Sequence, residues 1–516
     1  MRQLRDFNCL AQQGGDVVID LLFTNAKIWV ARGQTASSMG IQAGKIIALD
    51  TPNAEARETI DLAGLAIYPG WNDAHVHVWK VGHLRTSMLD LRDASTLEEV
   101  YQLVHSRAKS LESGQWLLGR GWNEAKLGGS PTRAMLDRVA PNNPVVLTRT
   151  CAHIHSLNSR ALGLAGIHEN TIVPQGGEIH LENGILFETA HGLVLQAMPA
   201  FSVEDCKKFI LAGLDWLAQH GITSCTDPAV DPILLEAYRQ LEAENALPIR
   251  VNLLFIRRPD GGAHTYALPE KFNSDFLRLD SVKFFADGGL SGATAAVSLP
   301  YQNTDFPSHG VLRFETQNLY QLALEAHQNG FRIGTHAIGD VALDQILTVY
   351  ERLSKTPFPQ IRHRIEHFGL ANQTHLTRAK TLGVIVVPQP IFLHELAGNF
   401  RKYLPTEFIA HCYNLRAMFE AGLTTVFSSD APVVKEVNPL IGIHAATFEP
   451  FMAGNQVSLE QAIEAFTLNG AIASGDEYNR GTLKLGQFAD FTVYANSNAP
   501  VLEWDLESTW VGGKQL

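Results

Sequence analysis

The sequence predicts an α/β fold: a (β/α)8 TIM barrel that carries a small β-sandwich domain formed from both ends of the chain. Three observations lead to this prediction. A helical segment, a glycine and an apolar strand recur in that order along the middle of the chain. The strands of this repeat are apolar almost throughout, as in a parallel sheet that is covered on both faces. Both ends of the chain instead show short β-rich runs separated by turn residues.

The repeat can be followed through successive units. The strands ITSCTD, FRIGTHAIGD, VIVVPQP and LTTVFSSD each follow a helical segment and one of the glycines Gly221, Gly330, Gly383 and Gly422. Glycine suits the left-handed residue that ends a helix. Further strands are predicted at 251–256, 281–288 and 362–368. A doubly wound open sheet is the competing architecture, but no GxGxxG motif follows an early strand.

Three regions follow from these patterns. Residues 1–70 and 476–516 are predicted to form the small β-sandwich domain, and residues 71–475 the barrel. The segment at about 85–200 does not fit the alternation and contains many Gly, Asn and Pro turns. We interpret it as an insertion between the first two barrel strands that roofs the site.

Composition limits the kinds of partner and compartment. The 516 residues include 45% hydrophobic and 18% charged residues, and the net charge of -12 makes nucleic acid a poor partner. No apolar stretch is long enough to span a membrane, and the polar N-terminus does not resemble a signal peptide. Five scattered cysteines without a CxxC motif indicate reduced thiols and a cytoplasmic protein, namely Cys9, Cys151, Cys206, Cys225 and Cys412. A homo-oligomer remains open, since no feature fixes the number of subunits.

The run PGWNDAHVHVW is the strongest local signal of chemistry. Residues two apart on a strand point to the same side, so His75 and His77 project together and can bind one metal ion. Asp73 shares that side. The alternative is that two histidines lie on a solvated strand without any ligand.

Other metal-binding residue types fall near the ends of later strands. His336 lies in GTHAIGD, His367 in RIEHFGL and Asp430 in SSDAPV. The active site of a (β/α)8 barrel lies at that end of the strands, and a polar residue in an apolar strand costs free energy unless it is paired or ligated. Each alone could be a satisfied buried residue, but together with the HxH motif they indicate a metal-dependent hydrolase. Lys283 would repel a cation as an ammonium, so only conversion to a carbamate would make it a ligand.

The chain resembles the amidohydrolase superfamily and, within it, amidohydrolase family 3, the YtcJ-like branch. The similarity runs from about residue 20 to 495 and includes WLLGRGWNE, SPTRAMLDRVAPNNPVVLTRTCAH, VKFFADGGL, THAIGD, RIEHF, SSDAPV and GTLKLGQFADFTVY. The insertion and the DGxL and HAIGD motifs distinguish this branch from the dihydroorotase-like and deaminase-like branches.

The resemblance implies a centre of two divalent metal ions, with zinc as the usual occupant. His75, His77 and Asp430 would hold the more buried ion, and His336 and His367 the second. Lys283, as N6-carboxylysine, would bridge the two. The implied reaction is hydrolysis of a non-peptide C–N bond (amide, N-acyl or formamide-type) of a small molecule by metal-bound hydroxide. Asp430 would be the catalytic residue, moving a proton to the leaving amine.

Four residues are predicted to bind substrate or stabilise the oxyanion: His153, Trp79, Gln389 and Arg364. Trp79 could instead only line a wall, and Arg364 could form a structural ion pair. Only one of His153 and its neighbour His155 is expected to face the site.

The chain departs from the family pattern where substrate contacts are expected. The family often has an arginine soon after DGxL, where this chain reads DGGLSGATAA, and Asp-Gly before the histidine of the insertion, where this chain has Cys-Ala. A metal-dependent deaminase on the same fold stays open as an alternative, with one metal and no bridging lysine. A non-enzymatic binding or regulatory protein on a retained barrel also stays open, although all six ligand positions are filled.

Overall fold

The computed structural model describes residues 18–150, 152–174, 177–259, 264–304, 308–448 and 451–516. Within these residues the strands are β1 (Ile19–Thr24), β2 (Lys27–Ala31), β3 (Gln34–Ala36), β4 (Met39–Gln42), β5 (Lys45–Leu49), β6 (Ala56–Asp61), β7 (Ala66–Pro69), β8 (Trp71–Asp73), β9 (Leu89–Asp90), β10 (Leu117–Trp122), β11 (Val145–Arg149), β12 (Ile154–Leu157), β13 (Gly177–His180), β14 (Ile185–Glu188), β15 (Ile222–Val230), β16 (Arg250–Ile256), β17 (Phe272–Asn273), β18 (Leu277–Phe285), β19 (Arg332–Ala337), β20 (Arg364–His367), β21 (Ile385–Val387), β22 (Thr424–Thr425), β23 (Phe491–Ala495), β24 (Asp505–Val511) and β25 (Lys514–Gln515).

The helices cover the central sheet and connect its strands. The α-helices of the described residues are Val78–Thr86, Leu97–Lys109, Glu124–Leu127, Arg133–Val139, Ser159–Leu164, His191–Leu195, Val203–Ala218, Pro232–Ala243, Thr316–Gln328, Asp340–Leu353, Gln373–Leu382, Pro390–Glu395, Ala397–Tyr403, Thr406–Ile409, Leu415–Glu420, Pro439–Thr447, Leu459–Ala465 and Leu468–Ser474. Short 3-10 helices lie at Leu290–Gly292 and Val501–Glu503. None of the helices in the described part of the chain is long and apolar enough to cross a membrane.

The central sheet contains eight parallel strands in the order β22-β21-β20-β19-β18-β16-β15-β8, and β17 pairs with β18 in the antiparallel sense. The chain segments that follow the two edge strands are hydrogen-bonded to each other. The amide of Asp430 donates to the carbonyl of His75 at 2.7 Å, and that of His77 to the carbonyl of Ala431 at 3.0 Å. The sheet is therefore curled, with its edges drawn together at the carboxyl end. The α/β class and the parallel sheet are confirmed, whereas a complete barrel stays a prediction.

The glycines that were predicted to end helices do so. Gly383 follows the helix Gln373–Leu382 with φ 63°, and its amide bonds back to the carbonyl groups of that helix. Gly330, after the helix Thr316–Gln328, has φ 72°. Only glycine adopts this region without steric cost, so the residue marks the point where the chain leaves each helix for the next strand.

Both ends of the chain contribute to a pair of smaller sheets. One has the order β5-β4-β1-β6, and the other has the order β25-β24-β23-β7-β2-β3, in which β23 pairs antiparallel with β7. Phe23, Phe491 and Trp510 pack between them with ring centroids 5.2–5.4 Å apart. Residues 1–17 lie outside the described part of the chain. The limits 1–70, 71–475 and 476–516 stay predictions.

The segment between β8 and β15 contains a sheet of its own. Its six strands have the order β13-β14-β12-β11-β10-β9, and they bury separate apolar clusters around Leu147 and Leu157. The limits of about 85–200 for this insertion also stay predictions. Cys206, Cys225 and Cys412 are buried free thiols, while Cys9 and Cys151 lie outside the described residues.

Candidate metal centre

The six residues that were predicted to bind metal all lie at the carboxyl end of the central sheet. His75 and His77 follow β8, Asp430 follows β22, and the other three lie on adjacent strands: Lys283 on β18, His336 on β19 and His367 on β20. None of the six is more than 8% exposed. Such a concentration of buried ionisable groups requires either mutual pairing or a bound ion.

Three of these residues converge on one point. The Nε2 atoms of His75 and His77 each lie 3.4 Å from Oδ1 of Asp430, and the potential ligand atoms are all within 4.8 Å of one another. Oδ1 of Asp430 is buried and accepts no hydrogen bond. Burial raises the pKa of Asp430 to about 7 although Lys283 opposes the shift. An unsatisfied carboxylate oxygen beside two imidazole nitrogens is the donor set that a zinc-like cation takes, so these residues fit a metal ion.

A buried carboxylate fixes the orientation of His75. Its Nδ1 lies 2.6 Å from Oε2 of Glu366. Arg364 donates to both oxygens of that carboxylate, from Nε to Oε1 at 2.5 Å and from Nη2 to Oε2 at 2.9 Å. Nη2 of Arg364 also donates to the carbonyl of Ala74 at 2.6 Å. Burial alone would raise the pKa of Glu366, but Arg364 and Lys283 outweigh it and the pKa is lowered. A charged Glu366 accepts the Nδ1 proton of His75 and leaves Nε2 free as a ligand.

Sequence reasoning missed Glu366. The available signal was an acidic residue inside the apolar strand RIEHF, where a charge needs a partner. The prediction named its immediate neighbour His367, which lies at the end of the same strand, and gave Glu366 no role.

Asp73 joins the two edges of the sheet beneath the cluster. Its Oδ1 accepts the amide protons of His75 and Ser429, each at 3.1 Å, and its Oδ2 accepts the hydroxyl of Ser429 at 2.5 Å. Two of the metal-site residues have left-handed backbone, with φ 74° at His367 and φ 59° at Asp430. Side chains other than glycine pay of order 1–3 kcal/mol for such a conformation, which is typical of functional sites. The strain turns both side chains toward the mouth of the sheet.

His336 and His367 form a second group beside the first. Their ring centroids are 4.5 Å apart, and that of His367 is 5.0 Å from that of His75. Nδ1 of His367 lies 2.7 Å from Oε1 of Gln389, and Nε2 of His336 lies 2.9 Å from the carbonyl of Gly288. Each contact fixes one ring nitrogen and leaves the other available.

The four imidazoles are held in the neutral form that a metal ion requires. Burial first, and then neighbouring cations that include Lys283, hold the pKa values of His75, His77, His336 and His367 well below the usual range. Metal ions bind only deprotonated imidazole, so this environment favours binding.

Lys283 is the unusual member of the site. Its side chain is fully buried, and Nζ has no hydrogen-bond partner among the described residues. Burial lowers the pKa of Lys283 to about 8, against the opposing charges of Glu366 and Asp430. Nζ lies over the ring of Phe285, 4.7 Å from the ring centroid. A buried amine without a partner is costly, so this position requires a further interaction.

A cleft opens beside His336, His367 and Asp430, and it receives His153 from the insertion. Nδ1 of His153 lies 2.9 Å from Oε2 of Glu188, which also lies 3.5 Å from Nη2 of Arg313. The structure brings His153, and not His155, to this cleft. His155 is buried against His191, with ring centroids 3.6 Å apart.

The other three predicted substrate contacts are not among the described residues that line this cleft, and their role stays a prediction. Trp79 lies in the helix Val78–Thr86 and packs on Phe201. Arg364 is fully buried in its ion pair with Glu366, which is the structural alternative that the sequence left open. Gln389 is fully buried, and its amide group bonds to His367, Val387 and Ser428. Both polar residues therefore have partners within the protein.

Comparisons with known proteins agree with this geometry. Residues 58–516 match the sequence profile of the Amidohydrolase family, Amidohydro_3, and the chain belongs to that family. YtcJ of Bacillus subtilis (strain 168), which is named as an amidohydrolase, is 29% identical over 84% of this chain and 85% of its own. The N-substituted formamide deformylase of Arthrobacter pascens is 26% identical over 92% of this chain and 93% of its own.

A solved structure shows the same fold. The crystal structure of an uncharacterized metal-dependent hydrolase from Pyrococcus horikoshii OT3 superimposes with a TM-score of 0.78 at 24% identity, covering 94% of this chain and 99% of that one. The prediction of a YtcJ-like member of amidohydrolase family 3 is confirmed, and the protein is a metal-dependent hydrolase of the amidohydrolase family.

Proposed function

We propose that the protein uses two divalent metal ions, with zinc as the expected metal, to hydrolyse a non-peptide C–N bond in an amide, N-acyl or formamide-type small molecule. One observation carries the proposal. Four neutral histidines, a carboxylate and a lysine are buried together at the carboxyl end of the sheet, and Asp430 Oδ1 and Lys283 Nζ have no hydrogen-bond partner in the part of the chain that the structure describes. The relative named N-substituted formamide deformylase supports the choice of bond.

The ligands would divide between the two ions as follows. His75, His77 and Asp430 would hold one ion, and His336 and His367 the other. Lys283 would bridge them as N6-carboxylysine: the neutral amine adds to carbon dioxide, an N–C bond forms and one proton is released. The lowered pKa of Lys283 supports this step, because only the unprotonated amine reacts. When bound, such ions lower the pKa of a water ligand and polarise the scissile carbonyl.

The residues of the chain would then move the proton and hold the substrate. Asp430 would accept the proton of the attacking water and deliver it to the leaving nitrogen. Its pKa of about 7 supports exchange near neutral pH, where a general acid–base group works best. His153 lines the cleft and would bind the polar part of the substrate, with Glu188 holding its other ring nitrogen.

A screen with metal-loaded protein tests the proposal. We expect amine release from at least one member of a panel of N-substituted formamides, N-acyl compounds and cyclic amides. The activity should disappear with a chelator and return with added zinc. A fully metal-loaded protein that hydrolyses none of these compounds would contradict the assignment.

One observation favours a metal-dependent deaminase on the same fold instead. Among the described residues, ligand atoms converge closely only at His75, His77 and Asp430, which is enough for a single ion. Release of ammonia from an amino-substituted ring, by protein that contains one metal per chain, would support that alternative. A non-enzymatic binding role would be supported by a chain that takes up no divalent metal.

A complete (β/α)8 barrel and a cytoplasmic location are part of the proposal. The backbone hydrogen bonds between the segments after β22 and β8 support barrel closure. The buried free thiols Cys206, Cys225 and Cys412 are compatible with a reducing compartment.

A further inference from the structure

Much of the lining of the cleft is apolar. Six apolar side chains line it, namely Leu290, Ile338, Phe392, Leu396, Phe400 and Val433. Phe392 lies in the helix Pro390–Glu395, Phe400 in the helix Ala397–Tyr403, and Leu396 at the junction between them. These two short helices therefore bring three apolar side chains to the cleft.

This apolar lining begins at the metal site itself. The ring of Phe392 lies parallel to that of His367, with an interplanar angle of 13° and a centroid distance of 6.2 Å. Further out, Phe400 stacks on Tyr413 at 5.8 Å and meets Phe451 edge-on at 6.1 Å. A group attached to a bond held at His367 and Asp430 would run along this surface.

The cleft offers no partner for a charged group on that side. Among the described residues that line it there is no lysine, arginine or glutamate, and its carboxylate, Asp430, belongs to the metal cluster. Outside the metal site, the polar side chains among these described lining residues are His153, Ser291 and Tyr413. A charge that moves from water into such surroundings without a partner is strongly disfavoured.

We infer that the substrate is an uncharged amide that carries an apolar substituent, which lies against the wall formed by Phe392, Leu396 and Phe400. The inference rests on the proposed function and adds to it the class of substrate. The cleft is open to solvent beside the metal-site residues His336, His367 and Asp430, so a substituent on a bond held there could extend along the wall.

A matched series of amides tests the inference. Formamides whose nitrogen carries pentyl, aminobutyl or carboxypropyl groups have similar lengths but differ in charge, and the methyl compound is the short uncharged reference. A second series carries the same chains on the acyl carbon of methylamides. In at least one series, kcat/KM for the pentyl compound should exceed that of both charged compounds by about 100-fold or more. Equal or better turnover of a charged compound in both series would overturn the inference.

Variants locate the effect on the wall. Leu396→Ala should lower kcat/KM for the pentyl compound about 10-fold more than it lowers kcat/KM for the methyl compound. Leu393→Ala is the matched control, since Leu393 is buried in the helix that ends just before Leu396 and is not among the described residues that line the cleft. Phe400→Leu, a milder change, should also reduce the preference for pentyl over methyl. A preference that neither Leu396→Ala nor Phe400→Leu alters would overturn the placement.

Calorimetric titration of the metal-free chain separates this inference from the proposed function. Pentyl compounds that bind, but bind about 10-fold more weakly to Leu396→Ala, would support the apolar site even if no amide is hydrolysed. Hydrolysis of amides without any apolar preference would support the reaction and contradict the site.

Discussion

The two groups of candidate metal ligands are held in different ways. His75, His77 and Asp430 converge on one point, and backbone hydrogen bonds join the segments that carry them. His336 and His367, the second group, lie on neighbouring strands, where His336 is bonded to the carbonyl of Gly288 and His367 to Gln389. Lys283 Nζ, on the next strand, has no hydrogen-bond partner among the described residues. The donor atoms of the first group already fit one ion, whereas in the proposed function the second group also needs Lys283 as a bridge.

A comparison of two buried cations sharpens this difference. Arg364 and Lys283 are both fully buried on nearby strands. Arg364 pairs with Glu366 and the carbonyl of Ala74, so its charge stabilises the position of a carboxylate. Lys283 has no such pairing. An unpaired buried cation is costly. The ion pair of Arg364 therefore accounts for its burial, whereas the burial of Lys283 requires a further interaction such as the proposed carboxylation.

The largest expected effect comes from the first group. Asp430→Asn should lower kcat by about 10²–10⁴-fold, because the variant cannot exchange a proton. Steady-state kinetics on an identified amide measure the loss. Asp280→Asn, at a carboxylate paired with Arg278 away from the site, is the control and should keep its activity. Unchanged turnover by Asp430→Asn would remove this residue from the mechanism.

Removing the side chain of Lys283 should lower the metal content of the protein without unfolding it. Lys283→Ala removes the proposed bridge, and we expect about one metal ion per chain in place of about two. Added acetate, a small carboxylate that can enter the space left by the side chain, should restore part of the lost turnover. Elemental analysis and activity measured on the same sample provide the check. Full metal content in the variant would show that the lysine does not bridge.

The support beneath His75 should have a smaller effect. Glu366→Gln removes the charge that accepts the Nδ1 proton of His75, and metal affinity should fall by about 10–100-fold. Competition with a chelator measures the affinity. Glu325→Gln is a control, since Glu325 pairs with Arg257 and is half exposed. Equal affinities in the two variants would contradict the role given to Glu366.

The smallest effect is expected at His363, the residue immediately before β20. Burial lowers the pKa of His363 to about 3, so the unfolded chain, with an ordinary histidine pKa near 6.5, binds the proton more readily. The stability that His363 contributes is therefore complete above pH 6.5 and is lost as the pH falls toward 3. His363→Gln should reduce the pH slope of the unfolding free energy by up to about 1.4 kcal/mol per pH unit below pH 6.

Urea unfolding of wild type and His363→Gln between pH 5 and 7 measures that slope. Metal content is the control and should stay unchanged, because His363 precedes β20 whereas the metal-site residue His367 ends it. Identical slopes would show that the proton is taken up elsewhere.

Much of the fold could be predicted because its signals are local. The glycines that end helices and the apolar strands between them identified the parallel α/β sheet. The strand pairing of the insertion could not be predicted, since turn residues mark where strands end but not which strands pair. The six-stranded order β13-β14-β12-β11-β10-β9 depends on contacts that are distant in sequence.

The residues of the site also divide into those that a local sequence pattern predicted and those that it did not. The two-residue period of a strand predicted that His75 and His77 lie together, and both approach Asp430, but they lie beyond the end of β8. The period also does not describe His367, whose φ is 74°. Glu366, its neighbour in the same strand, also points into the site and was missed. Gln389 and Arg364 are predicted substrate contacts because their side chains are polar. A sequence does not show whether such a side chain already has a hydrogen-bond partner inside the protein.

Metal stoichiometry of the purified wild-type protein tests the central claim most directly. The chain would be stripped with chelator, reconstituted with zinc in the presence of bicarbonate, and measured by elemental analysis, with native mass spectrometry to detect one added carbon dioxide. The account predicts about two zinc ions per chain and a carboxylated Lys283. One tightly bound ion and an unmodified lysine would contradict it.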